Sequence, residues 1–121
     1  MKWDKLYLIS ALIFAVLMTA DGITTIMCVI KAAELYGYSV AIQHELNPVA
    51  RWFLAHGIPA YTVLFTGIVL GFMAIVKWGY NYVGRVRYGW QLVSMVFLVF
   101  AILRAVVVLN NIQAYLNLTG F

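Results

Sequence analysis

The sequence predicts an all-α membrane protein with three transmembrane helices and a short interfacial helix after the first external loop. One observation is the composition: 65% of the 121 residues are hydrophobic and 10% are charged, whereas soluble domains carry about 25% charged residues. Another is that three apolar segments are each long enough to cross the roughly 30 Å hydrocarbon layer of a bilayer. We therefore expect a single transmembrane domain over residues 1–121.

The first transmembrane helix is predicted over residues 4–36, and residues 37–45 are expected to form a loop. This helix is longer than the hydrocarbon layer is thick, so it should tilt or project beyond the membrane. Two N-terminal lysines followed by an apolar core resemble a signal peptide. Signal peptidase prefers a small residue at the position of Met18, two residues before Ala20, so we expect an uncleaved first helix.

A short helix is predicted over residues 48–56, starting from the dipeptide Asn47-Pro48. Asparagine is a preferred N-cap residue, and proline is favoured at the first helical position. The segment is too short to span a membrane. Trp52 and Phe53 suit the membrane interface, where aromatic side chains settle. We therefore predict an interfacial helix.

The second transmembrane helix is predicted over residues 59–78, which contain no charge before Lys77. Gly67, Gly71 and Ala74 share one face of this helix, because they are four and three residues apart. Small residues on a membrane helix allow another backbone to approach closely. We predict close helix packing at this face and leave its partner open.

The third transmembrane helix is predicted over residues 90–117, after a basic loop at residues 79–89. Basic residues are retained on the cytoplasmic side of membrane proteins. This rule explains the net charge of +4 without a nucleic-acid partner. We expect a protein of the cytoplasmic membrane with its N-terminus inside and its C-terminus outside. Five basic residues fall on one side, Lys2, Lys5, Lys77, Arg85 and Arg87, against two on the other, Lys31 and Arg51.

An acidic residue lies within the first apolar segment, and a basic residue lies within the last. A charge at such a position costs roughly 2.5–3.5 kcal/mol on insertion scales, so each needs a partner or water. Counting from the N-terminal ends of the helices places Asp21 and Arg104 at similar depth. Helical spacing adds further polar side chains to the same faces. We predict a buried polar cluster of Asp21, Thr24, Thr25, Arg104 and Asn111, capped by Glu45, Asn47 and Arg51.

Four interpretations of this cluster remain open. It can be structural, with an ion pair that fixes the packing of helices in lipid. It can move protons or ions, since intramembrane charges often mark such paths. It can perform chemistry, with Asp21 and Glu45 as paired carboxylates or, with His44, as metal ligands. It can bind a lipid or a small molecule. No spacing in the chain matches a metal or nucleophile signature, so we expect no cofactor and no catalysis.

Two short motifs carry a family resemblance. Asp21-Gly22-Ile23-Thr24-Thr25, followed by Glu45-Leu46-Asn47-Pro48, resembles an uncharacterised family of small bacterial and archaeal membrane proteins. Its members share an intramembrane Asp-x-x-[Ser/Thr]-Thr and a following Glu-x-Asn-Pro. The resemblance covers the first half to two-thirds of the chain. It implies a grouping of Asp21, Thr25, Glu45, Asn47 and Pro48, and it implies no activity.

A small three-helix chain without a soluble domain has too little interior to enclose a substrate path by itself. We therefore expect a non-catalytic subunit of a larger membrane complex, of the energy-transducing or oxidising kind. Its partners would be other integral membrane subunits or copies of itself, together with lipid. The alternative is an oligomeric proton or cation transporter or channel that uses Asp21 and Glu45.

Overall fold

A computed structural model describes residues 2–120, and this part of the chain is helical throughout apart from short turns. Its helices are α1 (Trp3–Tyr36), α2 (Tyr38–Gln43), α3 (Pro48–Ala55), α4 (Ile58–Arg85) and α5 (Gly89–Leu118). Helices α1, α4 and α5 are long and apolar enough to cross a membrane. The predicted all-helical class with three candidate spans is confirmed. The interfacial position of α3 stays a prediction.

The main packing interface joins α1 to α5, which run parallel and in a constant register. Asp21 contacts Arg104 and Cys28 contacts Asn111, and both contacts have a sequence separation of 83. The seven-residue spacing along α5 is that of a coiled-coil seam. Small residues in this seam allow the two backbones to approach closely. The buried positions on α5 are Gly89, Ser94, Ala101 and Val108; those on α1 include Ala11, Ala15, Met18, Gly22 and Thr25.

An aromatic cluster fixes one end of the bundle. Tyr7 is 2% exposed, and its hydroxyl donates a hydrogen bond of 2.9 Å to the carbonyl oxygen of Val76 on α4. Its ring lies edge-on to Trp90 at the start of α5, with 5.1 Å between the centroids. The Tyr80 hydroxyl donates to Asp4 Oδ2 over 2.8 Å. These contacts place the N-terminal end of α1 beside the turn between α4 and α5.

Helix α4 is longer than the predicted segment 59–78, because it continues to Arg85. Most of the expected loop 79–89 is therefore helical. The reason is tertiary packing, since Tyr80 and Val83 lie against the aromatic cluster around Tyr7. Helix α5 begins at Gly89, where a Cβ atom would collide with the carbonyl oxygen of Val83.

Residues 37–57 fold back onto α1 and α4 and include a helix that the sequence did not predict. Helix α2 (Tyr38–Gln43) lies where a loop was expected. Its Tyr38 hydroxyl donates a hydrogen bond to the carbonyl oxygen of Leu54 on α3. Leu54 is fully buried, and it belongs to one apolar cluster with Ala41 of α2 and Val29 of α1. This hydrogen bond joins α3 to α2, which lies against α1, while α3 lies against α4.

The predicted start of α3 is confirmed in detail. The Asn47 side chain accepts hydrogen bonds from the backbone N–H groups of Val49, at 3.0 Å, and Ala50, at 3.4 Å. Pro48 occupies the first turn. The asparagine at the N-cap satisfies free N–H groups of the helix start, and the proline after it removes another, because proline has no backbone N–H.

Helix α4 is the least enclosed of the three long helices. Among its residues, Tyr61 and Val76 are buried. Gly67, Gly71 and Ala74 are exposed, and a Cβ atom built on either glycine would meet nothing within 4 Å. The small-residue face of α4 therefore points away from α1 and α5.

Candidate functional site

The centre of the candidate site is a contact between the charged side chains of α1 and α5. Arg104 Nη1 lies 2.5 Å from Asp21 Oδ2. The two side chains are not equally enclosed, since 16% of the Asp21 side chain and 38% of the Arg104 side chain are exposed. The parallel register of α1 and α5 brings these positions to the same level.

The second oxygen of the Asp21 carboxylate is held by neutral donors. Asn111 Nδ2 donates to Asp21 Oδ1 at 3.0 Å, and Thr25 Oγ1 donates to the same oxygen at 3.4 Å. Asn111 Nδ2 also lies 3.0 Å from Thr24 Oγ1 and 3.2 Å from Thr25 Oγ1. The carboxylate thus receives donors on both oxygens, which lowers the cost of burying its charge.

Local helix geometry explains why these side chains meet. Asp21, Thr24 and Thr25 lie on one face of α1, and Arg104 and Asn111 are seven residues apart on α5. The Thr24 hydroxyl donates to the Ala20 carbonyl oxygen at 2.8 Å. This bond turns its oxygen lone pairs toward the Asn111 amide.

A cavity of about 550 Å³ lies beside the Asp21–Arg104 contact, between α1, α4, α5 and residues 44–47. Its polar wall includes Asp21, Arg104, Glu45 and Asn111. A second cavity of about 740 Å³ lies between α1, α2 and α5. The two cavities share a wall formed by Thr25, His44, Glu45 and Asn111.

Of the three predicted capping residues, the structure brings two to the cavity. Glu45 and Asn47 both line it, although Asn47 is exposed. Glu45 Oε1 accepts a hydrogen bond of 3.1 Å from the backbone N–H of Asn47. Arg51 is exposed and does not contribute to the cavity wall. Ala50 is the buried residue beside it on α3, and the next helical position turns outward by about 100°.

Sequence reasoning missed the part of the wall that α4 supplies. Tyr61 and Phe65 line the cavity, and the Phe65 ring lies directly over Gly22 on α1. A Cβ atom on Gly22 would come within 2.6 Å of the ring. The available signal was Gly22 itself, because a glycine inside a helix often marks a close approach of another element.

Metal binding finds no support in the arrangement of ligand-type side chains. Within residues 2–120, no three His, Cys, Asp or Glu side chains are grouped so that they could hold a metal ion. His44 is exposed at the cavity wall.

Comparison with known proteins returned no relative. No protein-family model, curated protein or solved structure matches this chain. The resemblance carried by the Asp-x-x-Thr-Thr and Glu-x-Asn-Pro motifs stays a prediction.

Proposed function

We propose that this chain is a non-catalytic integral membrane subunit that packs through α4 against a different membrane-spanning chain in a larger complex. The observation that carries this proposal is the exposed small-residue face of α4. Gly67 and Gly71 have no neighbouring atom within 4 Å of a Cβ position. In lipid, such a face favours association because two backbones can pack closely there.

The packing inside the chain supports a role of α4 in binding a partner and of α1 and α5 in holding the chain together. Helices α1 and α5 share a buried seam and the polar cluster around Asp21 and Arg104. The structure describes every residue of α4, and only Tyr61 and Val76 among them are buried. The α1–α5 pair would therefore leave α4 available to a partner. We extend the proposal to a complex of the energy-transducing or oxidising kind, where small helical subunits without soluble domains are expected.

We also propose that the N-terminus lies in the cytoplasm and that the short α3 lies at the opposite interface. The Tyr80–Asp4 hydrogen bond supports this orientation, because it puts the N-terminus and the α4–α5 turn at one end of the bundle. Basic residues then cluster at that end, as the positive-inside rule requires. They are Lys2, Lys5, Lys77, Arg85 and Arg87.

The subunit proposal predicts that bulk on the small-residue face removes partners without unfolding the chain. The double variant Gly67→Leu, Gly71→Leu should lose co-purified chains by about tenfold or more, because the leucines separate the two backbones. The measurement is affinity purification from the native membrane in mild detergent, with the mass and composition of the particle determined.

The control is Thr66→Leu, which places a leucine at a neighbouring exposed position of α4 outside this face. It should retain several different chains in fixed ratio. A particle made only of copies of this chain contradicts the proposal. So does an unchanged composition after both glycines are replaced.

One observation favours a second candidate function, proton or cation transport. Asp21 and Glu45 line the same cavity, and intramembrane carboxylates often mark ion paths. If the chain transports ions, Glu45→Gln should reduce flux in proteoliposomes by about tenfold or more, through loss of one charge at the path. Glu34→Gln is the matched control, because Glu34 is 62% exposed and pairs with Lys31 on α1.

The subunit proposal instead predicts no flux above that of protein-free liposomes. A flux that depends on Glu45 and not on Glu34 would replace it with the transport function.

A further inference from the structure

Arg104 has hydrogen-bond donors that the protein leaves unused. A guanidinium carries five N–H donors. Arg104 Nη1 donates to Asp21 Oδ2, and residues 2–120 supply no other acceptor to this side chain within hydrogen-bond distance. More than a third of the side chain is exposed. Unpaired N–H donors are costly in an apolar surrounding, so the cavity beside Arg104 favours a group that brings acceptor oxygens.

Glu45 favours a hydrogen-bond donor in the same cavity, whereas Arg104 favours an acceptor. Its Oε1 accepts the Asn47 N–H, whereas Oε2 has no hydrogen-bond partner among residues 2–120. The charges of Asp21 and Arg104 cancel each other, so Glu45 leaves the charged part of the wall with a net charge of −1. The wall as a whole therefore favours a cation with donor hydrogens. A zwitterion that carries both an anion and an ammonium group satisfies both requirements.

The polarity of the cavity changes from one side to the other. Residues 44–47 form a polar border that includes exposed His44 and Asn47. On the side between α4 and α5 the wall carries apolar side chains beside Asn110, and the apolar Ile68 and Val107 are 53% and 40% exposed. A polar border next to an apolar opening matches an amphiphile with a headgroup and an acyl chain. The volume of about 550 Å³ lies within the range of ligand pockets, about 300–1,000 Å³.

We propose that this cavity binds the headgroup of a phospholipid that contains a phosphate and a primary ammonium, as in phosphatidylethanolamine. Arg104 donates hydrogen bonds to the phosphate oxygens. Glu45 accepts hydrogen bonds from the ammonium. Ile68 and Val107 contact the first carbons of the acyl chains. This inference is independent of whether α4 docks another subunit.

The test is native mass spectrometry of the chain released from membranes that contain equal amounts of three phospholipids with identical acyl chains. Phosphatidylethanolamine should be retained about tenfold over phosphatidylcholine, whose methylated amine cannot donate to Glu45, and over phosphatidylglycerol, which has no cation. Glu45→Gln should reduce this preference to near parity, and Glu34→Gln should leave it unchanged.

A second variant fills the cavity and leaves the charged residues in place. Val107→Trp should reduce retained phosphatidylethanolamine by about tenfold, because the indole occupies the space beside Arg104. Val106→Trp is the matched control, since Val106 is 51% exposed and does not line the cavity. Both variants should unfold at similar temperatures.

Soluble glycerophosphoethanolamine separates a lipid ligand from a free headgroup. It should not displace the bound lipid, because it lacks the acyl chains that contact Ile68 and Val107. Displacement would overturn the assignment to a lipid. Equal retention of the three phospholipids, or unchanged retention in both Val107→Trp and Glu45→Gln, would overturn the site itself.

Discussion

Replacing Asp21 by asparagine is expected to lower the free energy of unfolding by about 3 kcal/mol, because Arg104 then keeps its charge inside the bundle without a carboxylate. This value is the lower end of the range for breaking a buried ion pair, since 38% of the Arg104 side chain is exposed. The measurement is the thermal or denaturant unfolding of the purified chain in detergent, followed by helical circular dichroism.

The double change Asp21→Leu, Arg104→Leu should be milder than Asp21→Asn alone. It removes both charges at once, and replacing a whole pair by apolar residues is often close to neutral. Asn111 loses an acceptor in this variant but keeps the hydroxyls of Thr24 and Thr25. Equal damage from the single and double changes would argue that the charge at position 21 serves a function rather than the fold.

An exposed ion pair on the same helix provides the control. Lys31 Nζ lies 3.6 Å from Glu34 Oε2, and 62% of the Glu34 side chain is exposed. Exposed pairs contribute little, so Glu34→Gln should change the unfolding free energy by less than about 1 kcal/mol.

Replacing Gly22 by leucine is expected to separate α4 from α1 and to destabilise the chain by about 1–3 kcal/mol, the usual cost of overpacking. The physical reason is the Phe65 ring, which lies 2.6 Å from the position of a Cβ atom on Gly22. The first ring atoms met are Cγ and Cδ2, and these cannot move without shifting the whole side chain. Unfolding under the same conditions measures the effect.

Gly67→Leu is the matched control, because it makes the same chemical change in a helix where a Cβ atom meets nothing within 4 Å. It should leave the isolated chain as stable as before or slightly more so, since leucine has the higher helix propensity. Adding Phe65→Ala to Gly22→Leu should recover part of the lost stability, as a double-mutant cycle would measure. If Gly22→Leu and Gly67→Leu behave alike, α4 does not pack on α1 as described.

Much of the fold could be predicted from composition and short local patterns. Three apolar runs define the candidate spans, and Asn47-Pro48 marks the start of α3. Counting residues brings Asp21 and Arg104 to one depth, because an α-helix rises by a constant 1.5 Å per residue. Their charged groups are in contact in the structure. The location of this contact within a bilayer stays a prediction.

The features that could not be predicted depend on tertiary contacts. Helix α2 is held by the Tyr38 hydroxyl on the backbone of Leu54, which no local pattern encodes. The last turns of α4 lie in the predicted basic loop 79–89, but Tyr80 packs into the aromatic cluster around Tyr7, and this packing overrides local propensity. The outward position of Arg51 depends on which face of α3 meets α4 and α2. The sequence alone does not specify that face.

The contact between Asp21 and Arg104 joins α1 to α5, and its distance can be measured in a lipid bilayer. Asp4 and Asp21 are the only aspartates in the chain, so carbon-13 at aspartate Cγ and nitrogen-15 at arginine Nη allow a solid-state NMR distance measurement with few competing signals. With Arg104 Nη1 at 2.5 Å from Asp21 Oδ2, we expect strong carbon–nitrogen dipolar coupling that disappears in Arg104→Leu. No coupling at the Asp21 carboxyl, or one that persists in Arg104→Leu, would contradict it.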